Sequence, residues 1–243
     1  MTHRLLVSGD SWTSCWPLEQ RLGHRNFGWP ALVSSNLDYT LIDKSRAGSS
    51  NYRIYRKAFD SILGDNVDLA LVFLTSWTRM EVGSTYGDKP GRIYQHIPSE
   101  SKKKETQYIF KNFFNGYKNY IDLLRMIISL QTLCTSVGTE CYFLDTFNNN
   151  LLFDITLDDF KSILSYNTLI IDNMDDNRIA VKFDKIKLLT SKINKNKFIS
   201  TLSYQDLIKG CHMDSGHPVE DGHELIANVV LEFLKEKHHG KAI

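Results

Sequence analysis

The stretch Arg4-Leu5-Leu6-Val7-Ser8-Gly9-Asp10-Ser11-Trp12 places a polar turn directly after a short apolar run. Because this run lacks the polar alternation of a half-exposed strand, it predicts a strand that is buried on both faces of its sheet. Ligands of parallel sheets bind beyond the carboxyl ends of the strands, where the chain leaves for the next helix. The stretch therefore predicts that Ser11 lies at the binding edge of a parallel sheet.

Short apolar runs alternate with longer amphipathic segments along much of the chain. The runs that predict strands are Arg4–Ser8, Thr40–Asp43, Leu69–Leu74 and Cys141–Leu144. The segments with helical spacing of apolar residues are Pro17–Leu37, Asn51–Leu63 and Gln107–Val137. Strands that alternate with helices require crossover connections, which cover both faces of a parallel sheet with helices. The predicted fold class is α/β, with a doubly wound sheet.

A polar cluster follows each of the four predicted strands. These clusters are Gly9–Ser11, Arg46–Asn51, Thr75–Arg79 and Asp145–Asn148. Because the carboxyl ends of parallel strands share one edge of the sheet, we expect the four clusters to form one rim.

A second informative segment, Asp214-Ser215-Gly216-His217-Pro218, lies near the other end of the chain. Together with Ser11, its Asp and His supply every side chain of a hydrolytic triad. Taken alone, Ser11 could cap a helix or stabilise a turn, and Asp214 and His217 could be ordinary loop residues. Their occurrence together on an α/β pattern favours the triad.

Composition restricts the classes of function. The 243 residues are 42% hydrophobic, which is enough for one substantial core, so we predict a single domain over residues 1–243. A formal charge of +1 gives no broad field for nucleic acid or anionic lipid. No apolar stretch approaches the roughly 20 residues that span a bilayer, and the N-terminus lacks a secretory pattern. The expected location is the cytoplasm, although release by lysis or incorporation in a particle would leave no mark in the sequence.

The two terminal segments resemble the SGNH hydrolase superfamily, the GDSL-type esterases and lipases. Gly9-Asp10-Ser11 resembles its first block, with Trp12 in place of the usual Leu. The segment from Asp214 to Pro218, followed by Gly222-His223, resembles its last block. The resemblance implies a three-layer α/β/α sandwich with a flavodoxin-like sheet. It also implies Ser11 as nucleophile, His217 as base and Asp214 as the acid that orients it, with neither a metal nor an organic cofactor.

The middle blocks of this family fit less closely. Gly48 corresponds to the glycine whose backbone N–H helps to hold the oxyanion. The third block normally carries Gly-x-Asn-Asp after the third strand, and this chain lacks that Asn. Three side chains could replace the lost donor: Ser76, Thr78 and Asn51, of which we favour Ser76.

Other polar and aromatic residues carry weaker predictions. Arg79 could bind an anionic group of the substrate, or pair with Glu81 or another acid, and we favour the pairing. Trp12 and Trp77 fall in loops of the predicted rim, where they could stack on a sugar ring or wall off the pocket. Asp10 is predicted to order the nucleophile loop.

The remaining predictions concern the second half of the chain and one long loop. We expect insertions at about residues 83–106, interpreted as a lid, and at about residues 148–200, with a short strand near Ile179–Phe183. Asp221 is predicted to cap the last helix, and His223 to have a capping or packing role. His217 is preferred over His212 as the base because it completes Asp-x-x-His-Pro.

The leading functional hypothesis is a serine esterase that hydrolyses small-molecule or glycan acyl esters, above all O-acetyl groups on a carbohydrate. The alternative is a non-catalytic carbohydrate-binding or structural module that retains the SGNH fold. The missing Asn favours the alternative, whereas retention of Ser11, His217 and Asp214 favours the enzyme.

Overall fold

A computed structural model describes residues 2–14, 28–84, 92–96, 104, 107–108, 114–147, 155–165 and 175–238. For residues 80–84 and 92–96 it describes the backbone. The predicted helix from Pro17, the predicted lid at 83–106 and the insertion at 148–200 lie partly outside the described residues.

The described strands and helices alternate from β1 to β3. The strands are β1 (Arg4–Ser8), β2 (Thr40–Asp43), β3 (Leu69–Leu74), β4 (Met80–Ser84), β5 (Arg92–His96), β6 (Glu140–Asp145), β7 (Met213–Asp214) and β8 (His217–Pro218). The helices are α1 (Trp29–Leu37), α2 (Asn51–Gly64), α3 (Gly116–Val137), α4 (Leu157–Ser165), α5 (Asp176–Thr190), α6 (Tyr204–Leu207) and α7 (Glu220–Lys237). A 3₁₀ turn covers Lys195–Lys197.

Four parallel strands form the central sheet in the order β2-β1-β3-β6, which confirms the predicted strands and the predicted fold class. Beside β6, the chain near Phe198 runs parallel and makes one further bridge to Phe143. The Ile199 amide donates to the Phe143 carbonyl at 2.8 Å. Among the described residues, the sheet extends beyond β6 only through this bridge.

Two apolar clusters cover the two faces of the sheet. Because side chains of a strand alternate between faces, Val72 of β3 belongs to one cluster and Phe73 to the other. Buried residues of α2 and α3 belong to the cluster that contains Val72, and buried residues of α1 and α7 belong to the cluster that contains Phe73. All six residues of β3 are buried, as the unbroken apolar run predicts. The structure is therefore a three-layer α/β/α sandwich.

Two predictions about irregular segments are wrong. The segment around Ile179–Phe183 is not a strand: it lies in α5, whose N-cap Asp175 accepts a hydrogen bond from the Arg178 amide. The predicted loop at 83–106 is not irregular throughout, because residues 83–84 of β4 pair antiparallel with β5, which covers residues 92–96.

No helix among the described residues has the length and apolar character needed to cross a membrane.

Candidate active site

The loop after β1 is a tight turn that presents Ser11. The amides of Thr13 and Ser14 both donate to the Asp10 carbonyl, at 3.2 and 2.9 Å. Thr13 also crowds Gly9, since a Cβ added at that glycine would lie 2.1 Å from the Thr13 hydroxyl oxygen. Gly is therefore needed where the strand enters the turn. The Trp12 amide donates to the Asp10 carboxylate at 3.0 Å, so Asp10 orders this loop, as predicted.

The hairpin of β7 and β8 brings His217 to Ser11 across 206 positions of sequence. His217 Nε2 lies 2.9 Å from Ser11 Oγ, and Ser11 is 5% exposed. Asp214 pairs with His217 in this hairpin, and the two residues between them have positive φ, 51° for Ser215 and 76° for Gly216. Two-residue hairpin loops favour such backbone conformations, and Gly adopts them without strain. The local sequence thus forms the turn that aims the imidazole.

The other nitrogen of the His217 ring faces a backbone carbonyl. Nδ1 lies 3.0 Å from the Ser215 carbonyl oxygen, to which it can donate. That assignment leaves Nε2 as an acceptor for the Ser11 hydroxyl, which is the tautomer a general base requires. The exposed Asp214 carboxylate accepts a hydrogen bond from the Ser215 hydroxyl at 3.0 Å. Of the three predicted triad residues, Ser11 and His217 are therefore in direct contact in the structure. The Asp214 carboxylate accepts its hydrogen bond from Ser215.

The loop that carries Gly48 lies beside the nucleophile turn. The Arg46 amide donates to the Gly9 carbonyl at 3.2 Å, which ties the two loops together. Gly48 has φ 71°, a left-handed conformation that suits glycine. Within the described part of the chain, the backbone N–H groups of Ser11 and Gly48 have no backbone acceptor. Both N–H groups are candidates for holding an oxyanion.

The three candidates for a further donor are engaged with one another or with backbone. The hydroxyls of Ser76 and Thr78 lie 2.8 Å apart. The side chain of Asn51 accepts from the Thr75 amide at 2.9 Å and donates to the Thr75 carbonyl at 2.7 Å. Asn51 therefore fixes the end of β3 in this structure, and the choice of Ser76 as third donor stays a prediction.

Arg79 forms a buried ion pair, and its partner is Asp10. Its Nη1 lies 2.9 Å from Asp10 Oδ2, with side chains 9% and 0% exposed. The same nitrogen donates to the Ser49 carbonyl at 3.3 Å, and the guanidinium carbon lies 5.0 Å from the centre of the Phe147 ring. The favoured pairing with an acid is thus observed, and the predicted substrate contact of Arg79 stays untested.

Neither tryptophan of the rim offers a face for a sugar ring. Trp12 is 6% exposed and packs edge-on against Phe147 and Tyr204. Trp77 is 8% exposed and packs against Phe114 and Tyr120 in the core. The interpretation of these rings as exposed stacking surfaces is wrong, because both loops turn them inward.

The two histidines near His217 have different surroundings. His212 is exposed, and its Nδ1 lies 2.8 Å from Asp221. Asp221 does not cap α7, because Val219 occupies the N-cap position, so that prediction is wrong. His223 is fully buried, and its Nδ1 accepts from the Trp29 amide at 3.4 Å. The predicted packing role of His223 agrees with this placement.

Burial lowers the pKa of His223 to about 4, because desolvation disfavours the charged ring. Its folded-state pKa thus lies below the ordinary value of 6.5, so the unfolded chain takes up the proton first as the pH falls. We expect the free energy of unfolding to decrease by roughly 3 kcal/mol between about pH 7 and pH 4 on account of this residue. Urea unfolding at both pH values should show a smaller decrease for His223→Gln. An equal decrease in parent and variant would contradict the expectation, and the exposed His212→Gln variant is the control.

Several solved structures are similar to this chain over most of its length. TesA is 13% identical over 96% of this chain and 99% of its own, with a TM-score of 0.50. The esterase EstA from Pseudoalteromonas sp. is 12% identical over 98% and 100%, with a TM-score of 0.49. A catalytic mutant of Axe2, an acetylxylan esterase from Geobacillus stearothermophilus, is 13% identical over 96% and 95%, with a TM-score of 0.48. No protein-family model matches the chain, and no curated protein matches it in sequence.

At such identities the likeness establishes the fold alone. The α/β/α architecture implied by the terminal motifs is confirmed, both by the parallel sheet and by the match to TesA. The chemistry has to be argued from this chain's own residues.

Proposed function

We propose that this chain, which has the fold of the SGNH hydrolases, is a serine esterase acting on small O-acyl esters. The observation that carries the proposal is the 2.9 Å contact between Ser11 Oγ and His217 Nε2 at the carboxyl edge of the sheet. A hydroxyl is a weak nucleophile until a neighbouring base accepts its proton, and this contact supplies the base.

In the proposed reaction Ser11 Oγ attacks the ester carbonyl while its proton moves to His217 Nε2. The backbone N–H groups of Ser11 and Gly48 donate to the carbonyl oxygen as it becomes an oxyanion. The C–O bond to the alcohol then breaks, and His217 returns the proton to the leaving oxygen. Water, deprotonated by the same ring, cleaves the acyl-enzyme to release the acid and restore Ser11.

Two groups share the task of supporting His217 in this mechanism. The Ser215 carbonyl accepts from Nδ1 and fixes the tautomer. Asp214, the acid of the proposed triad, supplies negative charge that favours the imidazolium formed during attack. Because its carboxylate is exposed and accepts from the Ser215 hydroxyl, this attraction is screened by solvent.

The division of roles predicts a moderate effect for Asp214→Asn. We expect kcat for p-nitrophenyl acetate to fall by about tenfold, compared with about 10⁴-fold where the acid alone fixes the tautomer. Steady-state kinetics over a range of pH would measure the loss, with Asp206→Asn as a control at a carboxylate bonded to Ser203. A loss near 10⁴-fold would show that the carboxylate, and not the carbonyl, orients the ring.

For the acyl group we propose acetyl. Buried Trp12 directly follows the nucleophile in sequence, and its ring lies 5.0 Å from that of Phe147, so bulky aromatic side chains occupy the loops after β1 and β6. For the alcohol we propose a carbohydrate. Its support is the polar rim, where Arg46 and Ser215 are exposed and the Ser76 hydroxyl is half-buried. Such groups can bond sugar hydroxyls without a stacking surface.

A covalent probe tests the proposal directly. A fluorophosphonate should label the parent chain, and peptide mapping should place the adduct on Ser11. The variant Ser136→Ala, which changes an exposed serine of α3, should be labelled like the parent. Acetylated saccharides should then be hydrolysed faster than longer acyl esters. Absence of both labelling and turnover would overturn the esterase and favour a binding module, a reading supported by the mutual engagement of Ser76 and Thr78.

A further inference from the structure

One arginine lies in the loop after one strand of the central sheet, and its guanidinium contacts the loops after the other three. Arg79 itself belongs to the loop after β3. Its Nη1 bonds Asp10 in the loop after β1 and the Ser49 carbonyl in the loop after β2. Its cationic face covers Phe147 in the loop after β6 at 5.0 Å. Arg79 therefore connects the loops that form the rim of the candidate site.

The two hydrogen bonds of Nη1 go to residues that adjoin the two proposed oxyanion donors. Asp10 precedes Ser11 in sequence, and Ser49 follows Gly48. One nitrogen bonds both, at 2.9 Å to the carboxylate and 3.3 Å to the carbonyl. The distance between the Ser11 and Gly48 peptide groups is thereby restrained through one nitrogen of a rigid, planar guanidinium.

The remaining contacts of Asp10 restrain the same geometry. One carboxylate oxygen accepts from the Trp12 amide, and the other accepts from both Arg79 and the Thr75 hydroxyl at 2.8 Å. The carboxylate is fully buried, so all three donors lie within protein. Buried ion pairs often add little net stability, because desolvation offsets the attraction, so geometry is the property that this pair controls best.

We propose that Arg79 is a positioning residue of the esterase, which holds the backbone N–H groups of Ser11 and Gly48 at the spacing that an oxyanion requires. The inference rests on the proposed function and deepens it. Arg79 acts on the transition state without touching substrate. Its removal should therefore lower kcat while KM stays nearly constant.

The test uses Arg79→Lys and Arg79→Met with p-nitrophenyl acetate, at a temperature well below the unfolding midpoint of each variant. Lysine keeps the charge but carries its ammonium on a flexible stem, without the rigid guanidinium that fixes the donor nitrogen between Asp10 and Ser49. We expect kcat to fall by about 10- to 100-fold in both variants, with KM within about threefold of the parent value. Arg125→Gln, at an exposed arginine paired with Asp122, should keep the parent kcat.

A double variant separates positioning from stability. Arg79→Met alone leaves the Asp10 charge buried and unpaired, which lowers the unfolding midpoint. Asp10→Asn/Arg79→Met removes both charges and should regain much of that midpoint, while kcat stays low because the two loops lose the bonds that Arg79 makes to them. A kcat that recovers together with the midpoint would overturn the positioning role.

Failure of the inference and failure of the esterase proposal give different results. If the parent chain shows no turnover, or if its turnover survives Ser11→Ala, both the esterase proposal and the positioning role of Arg79 are overturned. A parent chain whose turnover is lost in Ser11→Ala, together with an Arg79→Lys variant with the same kcat and KM, overturns the positioning role alone.

Discussion

Replacing Ser11 with alanine should lower kcat for p-nitrophenyl acetate by about 10⁴-fold or more, because the variant lacks the oxygen that attacks the ester. The turn around residue 11 should persist. It is made by backbone bonds to the Asp10 carbonyl and by the Asp10 carboxylate, none of which involves the Ser11 hydroxyl. Initial rates with purified parent and variant would measure the loss, and fluorophosphonate labelling should disappear with it.

The matched control for this variant is Ser14→Ala in the same turn. Ser14 is also buried, and its hydroxyl reaches the Ser11 carbonyl at the long distance of 3.5 Å. We expect its kcat to stay within about threefold of the parent value, because such a long contact contributes little. Turnover at the parent rate by Ser11→Ala would show that another group is the nucleophile.

The central sheet was predictable because parallel strands carry a strong local signal. Leu69–Leu74 is apolar at every position, and a run of this kind has few stable arrangements other than a strand with both faces covered. The order of the polar loops follows from the same pattern. The position of Ser11 at the carboxyl edge of the sheet could therefore be derived from the sequence.

Helix α5 was missed because its sequence contains two periodicities. Ile179, Val181 and Phe183 alternate with smaller or polar residues, as in a strand. The structure uses the helical set instead: Phe183 and Ile186 are buried, whereas Val181 is 70% exposed. Helical and strand patterns coincide over such short spans, and tertiary packing decides between them.

The supports of the site were harder to predict than its reacting groups. The sequence predicts that Asp10 orders its loop and that Arg79 pairs with an acid, but it does not identify the two as partners, because they are 69 positions apart. The partner of His217 Nδ1 is a backbone carbonyl, which every residue possesses, so no residue type marks it. The burial of Trp12 likewise depends on Phe147 and Tyr204, which come from distant segments.

Replacing His217 with asparagine should lower kcat by about 10⁴-fold, an effect comparable to that of Ser11→Ala. Asparagine cannot accept and return a proton at pH 7, so Ser11 would remain a neutral hydroxyl during attack. Labelling by a fluorophosphonate should slow to the same extent, since that reaction needs the same nucleophile. A time course of fluorophosphonate labelling would measure the slower labelling, and steady-state kinetics would measure the lower kcat.

The matched control is His212→Asn, five positions earlier in the same segment. The His212 side chain is 89% exposed and pairs with Asp221 at the start of α7. Because an exposed pair contributes little stability, we expect kcat within about threefold of the parent value. Loss of turnover in His212→Asn with retention in His217→Asn would reassign the base. Loss in neither variant would mean that the 2.9 Å contact with Ser11 does not transfer a proton.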